Sequence, residues 1–91
     1  MRVTEVSSKS LKLARKDESF RILDVVSGHP LSERLLELGL QTGEFVKIVH
    51  EAPLSGDPIV LEVCGTKLAL RREEAALIFV EDLSNENGAK P

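Results

Sequence analysis

Tryptophan and tyrosine are missing from this 91-residue chain, and phenylalanine occurs only three times. A polyproline groove therefore cannot be built in the usual aromatic-lined way, and the lack of aromatic platforms argues against single-stranded nucleic acid as a ligand. One cysteine rules out an internal disulfide framework and suits a reducing compartment. No apolar run is long enough for a membrane-spanning helix, and the start carries no signal-peptide pattern. An excess of positive charge is lacking too: 12 Lys and Arg against 15 Asp and Glu give a net charge of −3, which offers phosphate backbones no general attraction. No Ser/His/Asp or Cys/His grouping suggests nucleophilic catalysis. Glu73 and Glu74, adjacent at a helix start, complement the helix dipole rather than form an acid–base pair. The chain reads as one small cytoplasmic, non-enzymatic domain whose core is Leu, Ile and Val.

What is present is organised around residues 28–43. Leu31, Leu35 and Leu38 stand at i, i+4 and i+7, with Leu36 widening the stripe and Glu33, Arg34 and Glu37 on the remaining surface. Pro30 suits the first helical position, Gly39 the left-handed position past the helix end, and Leu40 can fold back on Leu35 in a Schellman closure. Gly43 then turns the chain into a strand. Before this helix, residues 1–10 are a lead-in without period, a candidate for disorder. Leu11-Lys12-Leu13 has the alternation of a first edge strand, Arg15 to Glu18 is a charged solvated turn, and Phe20–Val26 is a strand. Phe45–His50, Ile59–Cys64 and Lys67–Leu70 are three further strands in a meander, joined by the Ala52–Pro58 segment and a Gly65-Thr66 turn. Arg72–Ala76 favours one helical turn, Ile78–Val80 a last strand, and residues 82–91 a disordered tail.

A mainly β fold follows over residues 11–81. It is a small barrel of about five short antiparallel strands, with one inserted amphipathic helix plugging an open end and a short helical turn before the last strand. Closure would remove the sheet's edges. If Ala52 faces Pro58 across the long hairpin, His50 faces Val60 and Ile48 faces Glu62.

His29, His50, Asp57, Glu62 and Cys64 are the side chains able to ligate a metal, although no two of the Cys and His have a recognised local spacing. His50 and Glu62 fall on one sheet face in this register, and with His29 they would supply the imidazole and carboxylate donors that ferrous iron accepts. The blander expectation is a solvent-facing His50, a surface Glu62 and a His29 satisfied at the helix start. Cys64, near a strand end, reads as a buried or half-buried small hydrophobe. Two surfaces could hold a partner. One is the hairpin tip Pro53, Leu54, Ser55, Gly56 and Asp57, where paired prolines stiffen a loop that presents Leu54. The other is the helix face of Glu33, Arg34 and Glu37, joined by Arg71 and Arg72. No arginine finger is evident, although Arg34, Arg71 and Arg72 could be tested as one.

Taken in order, these motifs resemble a known family. A strand ending in Val-Ser-Gly leads to Leu-x-x-x-Leu-Leu-Glu-Leu-Gly-Leu-x-x-Gly, then Val-x-Ile, Ala-Pro-Leu-Ser-Gly-Asp-Pro, Glu-Val-x-Gly and Leu-Ala-Leu-Arg-Arg-Glu-Glu-Ala. From about Leu11 to Glu81 the chain is similar to the FeoA family, small cytosolic accessory proteins of bacterial ferrous iron uptake. That resemblance implies an SH3-like barrel and a partner, the cytosolic GTP-binding domain of the FeoB transporter, which would recruit the chain to the inner face of the membrane. It implies no required cofactor and leaves weak Fe²⁺ or other transition-metal binding open; charge and composition point to no nucleic acid and no direct membrane insertion, and weak self-association also stays open. The alternative it leaves open is a metal-responsive regulatory domain akin to the C-terminal SH3-like module of diphtheria-toxin-repressor-type regulators. Where the family often has Pro-Gly before the first long strand, this chain has Lys16-Asp17.

Overall fold

Alternation of apolar and polar residues lays out most of the strands. In the computed structural model, which describes residues 8–83, six antiparallel strands form one sheet in the order β1-β6-β2-β3-β4-β5. They are β1 (Ser8–Ser10), β2 (Ser19–Val25), β3 (Phe45–Glu51), β4 (Ile59–Val63), β5 (Thr66–Leu70) and β6 (Ile78–Asp82). Two short helices interrupt them, α1 (Ser32–Glu37) and α2 (Arg72–Ala75). Phe20 and Ile22, Val46 and Ile48, the Ile59–Leu61–Val63 trio, and Ile78 and Val80 each point one way from their strand and fill one core.

The expected closed barrel is an open sheet, with β1 and β5 as its outer strands. Its first strand comes earlier than expected, within the supposed lead-in. Leu11-Lys12-Leu13 is a turn of 3-10 helix rather than a strand. The reason is local: Ser10 Oγ accepts the Lys12 N–H at 3.1 Å, capping a turn that swings the chain off the sheet after three residues. That turn buries Leu11 completely and leaves Leu13 76% exposed. Asp82, assigned to the tail, is in β6 opposite Phe20. The rest of the supposed lead-in and tail, residues 1–7 and 84–91, lies outside the described residues.

Two registers differ from simple counting. Ala52 does face Pro58, its N–H donating to the Pro58 carbonyl, and His50 does face Val60. A bulge at Val49 then pairs Ile48 with Leu61 and Lys47 with Glu62. Opposed residues share a face, so counting without the bulge would set a core isoleucine against a charge, and the extra residue restores the phase. The β4–β5 turn is Cys64-Gly65, with φ of 53° and 75°, because Val63 pairs with Thr66. Two residues of positive φ match the twist of the flanking strands. Cys64 is thereby lifted out of the strand and exposed, not buried.

Helix α1 is shorter than its leucine pattern. Pro30 and Leu31 precede it, in a turn where Ser32 N–H donates to the His29 carbonyl and Leu31 N–H to His29 Nδ1. Its end is a Schellman closure: Gly39 has φ 101°, Gly39 N–H donates to the Leu36 carbonyl and Leu40 N–H to the Leu35 carbonyl. Leu35 and Leu40 are buried, whereas Leu36 and Leu38 are 40% and 37% exposed. So short a helix reaches the core through one leucine, and the glycine returns Leu40 to the place the period gave Leu38. Gly43, at φ 93°, donates its N–H to the Ile22 carbonyl and starts β3 as expected.

Candidate functional site

The 52–58 segment between β3 and β4 is tied down by its own backbone. Ala52 and Pro58 close its base, Gly56 N–H donates to the Ala52 carbonyl at 2.8 Å, and Ser55 N–H to the Pro53 carbonyl at 2.8 Å. Ser55 Oγ donates to the Asp57 carbonyl and accepts the Asp57 N–H. Leu54 sits at the tip, fully exposed, with φ 72°. A leucine in left-handed backbone costs about 1–2 kcal/mol relative to ordinary conformations. The expected outward presentation of Leu54 is what the structure holds.

Beneath the loop lies Arg72, at the first turn of α2. Its Nε donates to the Gly56 carbonyl at 2.8 Å, and its Nη1 to the carbonyls of both Lys12 and Ala14 at 2.8 Å. Nη2 reaches Glu51 Oε1 at 3.2 Å. Asp57 Oδ1 accepts the Arg72 N–H at 2.9 Å, so a loop carboxylate caps the helix. Arg72 and Asp57, read from the sequence as contact residues, are thus turned inward to join the loop, the 3-10 turn and α2. Five donors in a planar fork make this arginine chemistry.

Glu51 anchors the other side of the cluster. Its Oε2 accepts the Lys16 N–H at 2.7 Å and lies 3.4 Å from Arg15 Nε. The Lys16 donation is the main reason its carboxyl is held below the ordinary carboxylate range. The Arg15 and Arg72 charges add to that, against some desolvation. Asp17 has φ 74°, so an aspartate adopts the left-handed turn here, which it tolerates better than most residues.

The second expected surface is partly assembled. Arg34 Nη1 is 3.7 Å from Glu74 Oε2, and Glu74 Oε1 accepts the Arg71 N–H, so one carboxylate links the helix face of Glu33, Arg34 and Glu37 to the start of α2. Arg71 is exposed at that junction. Beside it, Val26, His29, Glu33 and Leu36 border an open concavity of about 440 Å³.

The candidate metal ligands are placed on different elements. His29 Nδ1 is occupied by the Leu31 N–H, His50 points outward opposite Val60, and Glu62 outward opposite Lys47. Among the described residues, no group of three or more His, Cys, Asp or Glu is placed to hold a metal ion. The Cys64 thiol donates to Glu44 Oε1 at 3.3 Å, and that carboxylate pushes the thiol above its ordinary range. Leu13 and Glu51 were not singled out from the sequence. No local pattern marks Glu51, whose partners come from positions 15, 16 and 72, and Leu13 is hidden by a strand-like alternation.

Comparison with known proteins agrees with this architecture. An Fe(2+) transport protein A/Fe(2+) transporter FeoB fusion protein of Porphyromonas gingivalis is 37% identical over 59 residues, 65% of this chain and only 7% of that protein's length. The solution structure of an FeoA-like protein from Clostridium acetobutylicum superposes with a TM-score of 0.79 at 29% identity, over 84% of this chain and 87% of that one. The Stenotrophomonas maltophilia FeoA crystal structure, described as a prokaryotic SH3 domain protein in complex with zinc, gives a TM-score of 0.71 at 32% identity, covering 80% and 89%. The fold is therefore SH3-like, and no helix among the described residues is long and apolar enough to cross a membrane. The profile of the FeoA domain matches residues 9–82, and the chain belongs to the FeoA family.

Proposed function

We propose that this chain is a non-catalytic accessory of ferrous iron uptake that binds the cytosolic GTP-binding region of a FeoB-type transporter and modulates its activity. One observation carries the reading: a relative joins an FeoA portion and a FeoB transporter in a single protein. Parts that work together gain effective concentration when they are linked. The chain would act from the cytoplasm, drawn to the inner membrane face by its partner. Any effect on nucleotide turnover or pore opening comes from unequal affinity for the transporter's states, since a partner shifts only an equilibrium that it binds unequally. The surfaces available for this are the Leu54 loop and the face of Glu33, Arg34 and Glu37 with Arg71. Metal is not required in this reading.

The test is a titration of the isotope-labelled chain with the GTP-binding domain, beside an anaerobic Fe²⁺ titration, followed by NMR. Shifts at Ala52–Pro58 or along α1 on adding the domain are expected. Shifts with Fe²⁺ alone, centred on His29 or His50, would replace the accessory reading with the metal-responsive regulator.

A further inference from the structure

Leu54 and Leu13 are the most exposed large apolar side chains among the described residues, the first fully exposed and the second 76% exposed. They lie far apart in sequence, yet one guanidinium fixes both. Arg72 Nη1 binds the carbonyls of Lys12 and Ala14, the residues on either side of Leu13. Its Nε binds the carbonyl of Gly56, two residues beyond Leu54. Both leucines therefore stand on backbone that the same side chain braces, and Leu54 is held there in left-handed conformation, where glycine or asparagine would be easier. Rigid apolar side chains make effective anchors because little conformational freedom remains to be lost on contact.

The surrounding charge selects the kind of partner. Lys12, Arg15, Lys16 and Arg72 are matched by Asp17, Glu18, Glu51 and Asp57, so the site has no net basic field to draw it to an anionic bilayer or a nucleic acid. A protein surface with an apolar groove and mixed charge at its rim is the complement.

We propose that Leu13 and Leu54 form one docking platform, its spacing set by Arg72 as a positioning residue, and that it seats in an apolar groove on the soluble portion of a FeoB-type transporter. This rests on the accessory reading above.

The test measures binding of the full chain to the intact transporter of the same organism in nanodiscs, with protein-free nanodiscs of the same lipid beside it. Leu13→Ser and Leu54→Ser are each expected to weaken binding about tenfold, and their combination to depart from the product of the two. Both side chains are outside the core, so folding is kept in these variants. Arg72→Lys, which cannot span the same carbonyls, is expected to weaken binding comparably, while Arg21→Lys, at an exposed pair with Glu81, does not. Wild-type binding that both leucine variants keep within about twofold would overturn the platform and leave the accessory reading standing. Absence of wild-type binding would overturn that reading and the platform with it. Equal binding to protein-free nanodiscs would assign the leucines to lipid and overturn the protein groove.

Discussion

Glu51 shows how a single carboxylate can organise a surface. It receives a backbone N–H from the 15–18 turn and a guanidinium from α2, and these are worth most when it is ionised. A carboxylate whose folded-state pKa is lowered stabilises the fold above its ordinary range, and that stabilisation is lost as pH falls through the lowered value. Glu51→Gln should therefore be less stable than the wild type at pH 7. The difference should shrink on acidification below about pH 4, as followed by urea denaturation at a series of pH values. None of this was legible in the sequence. Glu51 stands in a strand pattern like any other polar residue, and its three partners come from positions 15, 16 and 72. Asp17 reads in the sequence as one charge of a solvated turn, and only the backbone angle of 74° shows that it takes a left-handed conformation.

Among the elements, α1 was the most legible and still the most instructive in its differences. Its glycine stop, the Leu40 return and the polar face of Glu33, Arg34 and Glu37 follow from local rules, because capping is decided by residues within one turn. How much of the leucine stripe is buried depends on what the helix lies against, and a six-residue helix offers the core little more than Leu35. Gly39→Ala tests the closure. A Cβ there would meet only Cys64 Sγ at 3.7 Å, so space is not the difficulty; the φ of 101° is. The substitution should cost about 1–2 kcal/mol, read as a shift in urea midpoint without a change in slope. The Ala52–Pro58 loop was equally clear in outline, from its prolines and glycine. Its bracing from below was not, because the residue that supplies it, Arg72, comes 14 positions after the loop ends.

At the scale of the whole molecule, the open sheet leaves two edges to be managed. Each outer strand is short and carries a lysine, Lys9 on β1 and Lys67 on β5, which discourages pairing with another chain. Strand β1 also covers the edge of β6, and Lys9 Nζ lies 5.6 Å from the centre of the Phe20 ring. Deleting residues 1–10 should expose that edge and cost about 1–3 kcal/mol, lowering the thermal midpoint by several degrees and raising light scattering on heating. The chain by itself determined its β character, most of its strand boundaries, the helix stop and the family signature. These depend on period and on turn residues that act over a few positions. Tertiary structure decided that the sheet stays open, that Val49 bulges, that Cys64 leaves its strand, and that Leu13 and Leu54 share a brace. Each depends on which distant groups can meet, and a guanidinium that gathers carbonyls from positions 12, 14 and 56 has no counterpart in local pattern.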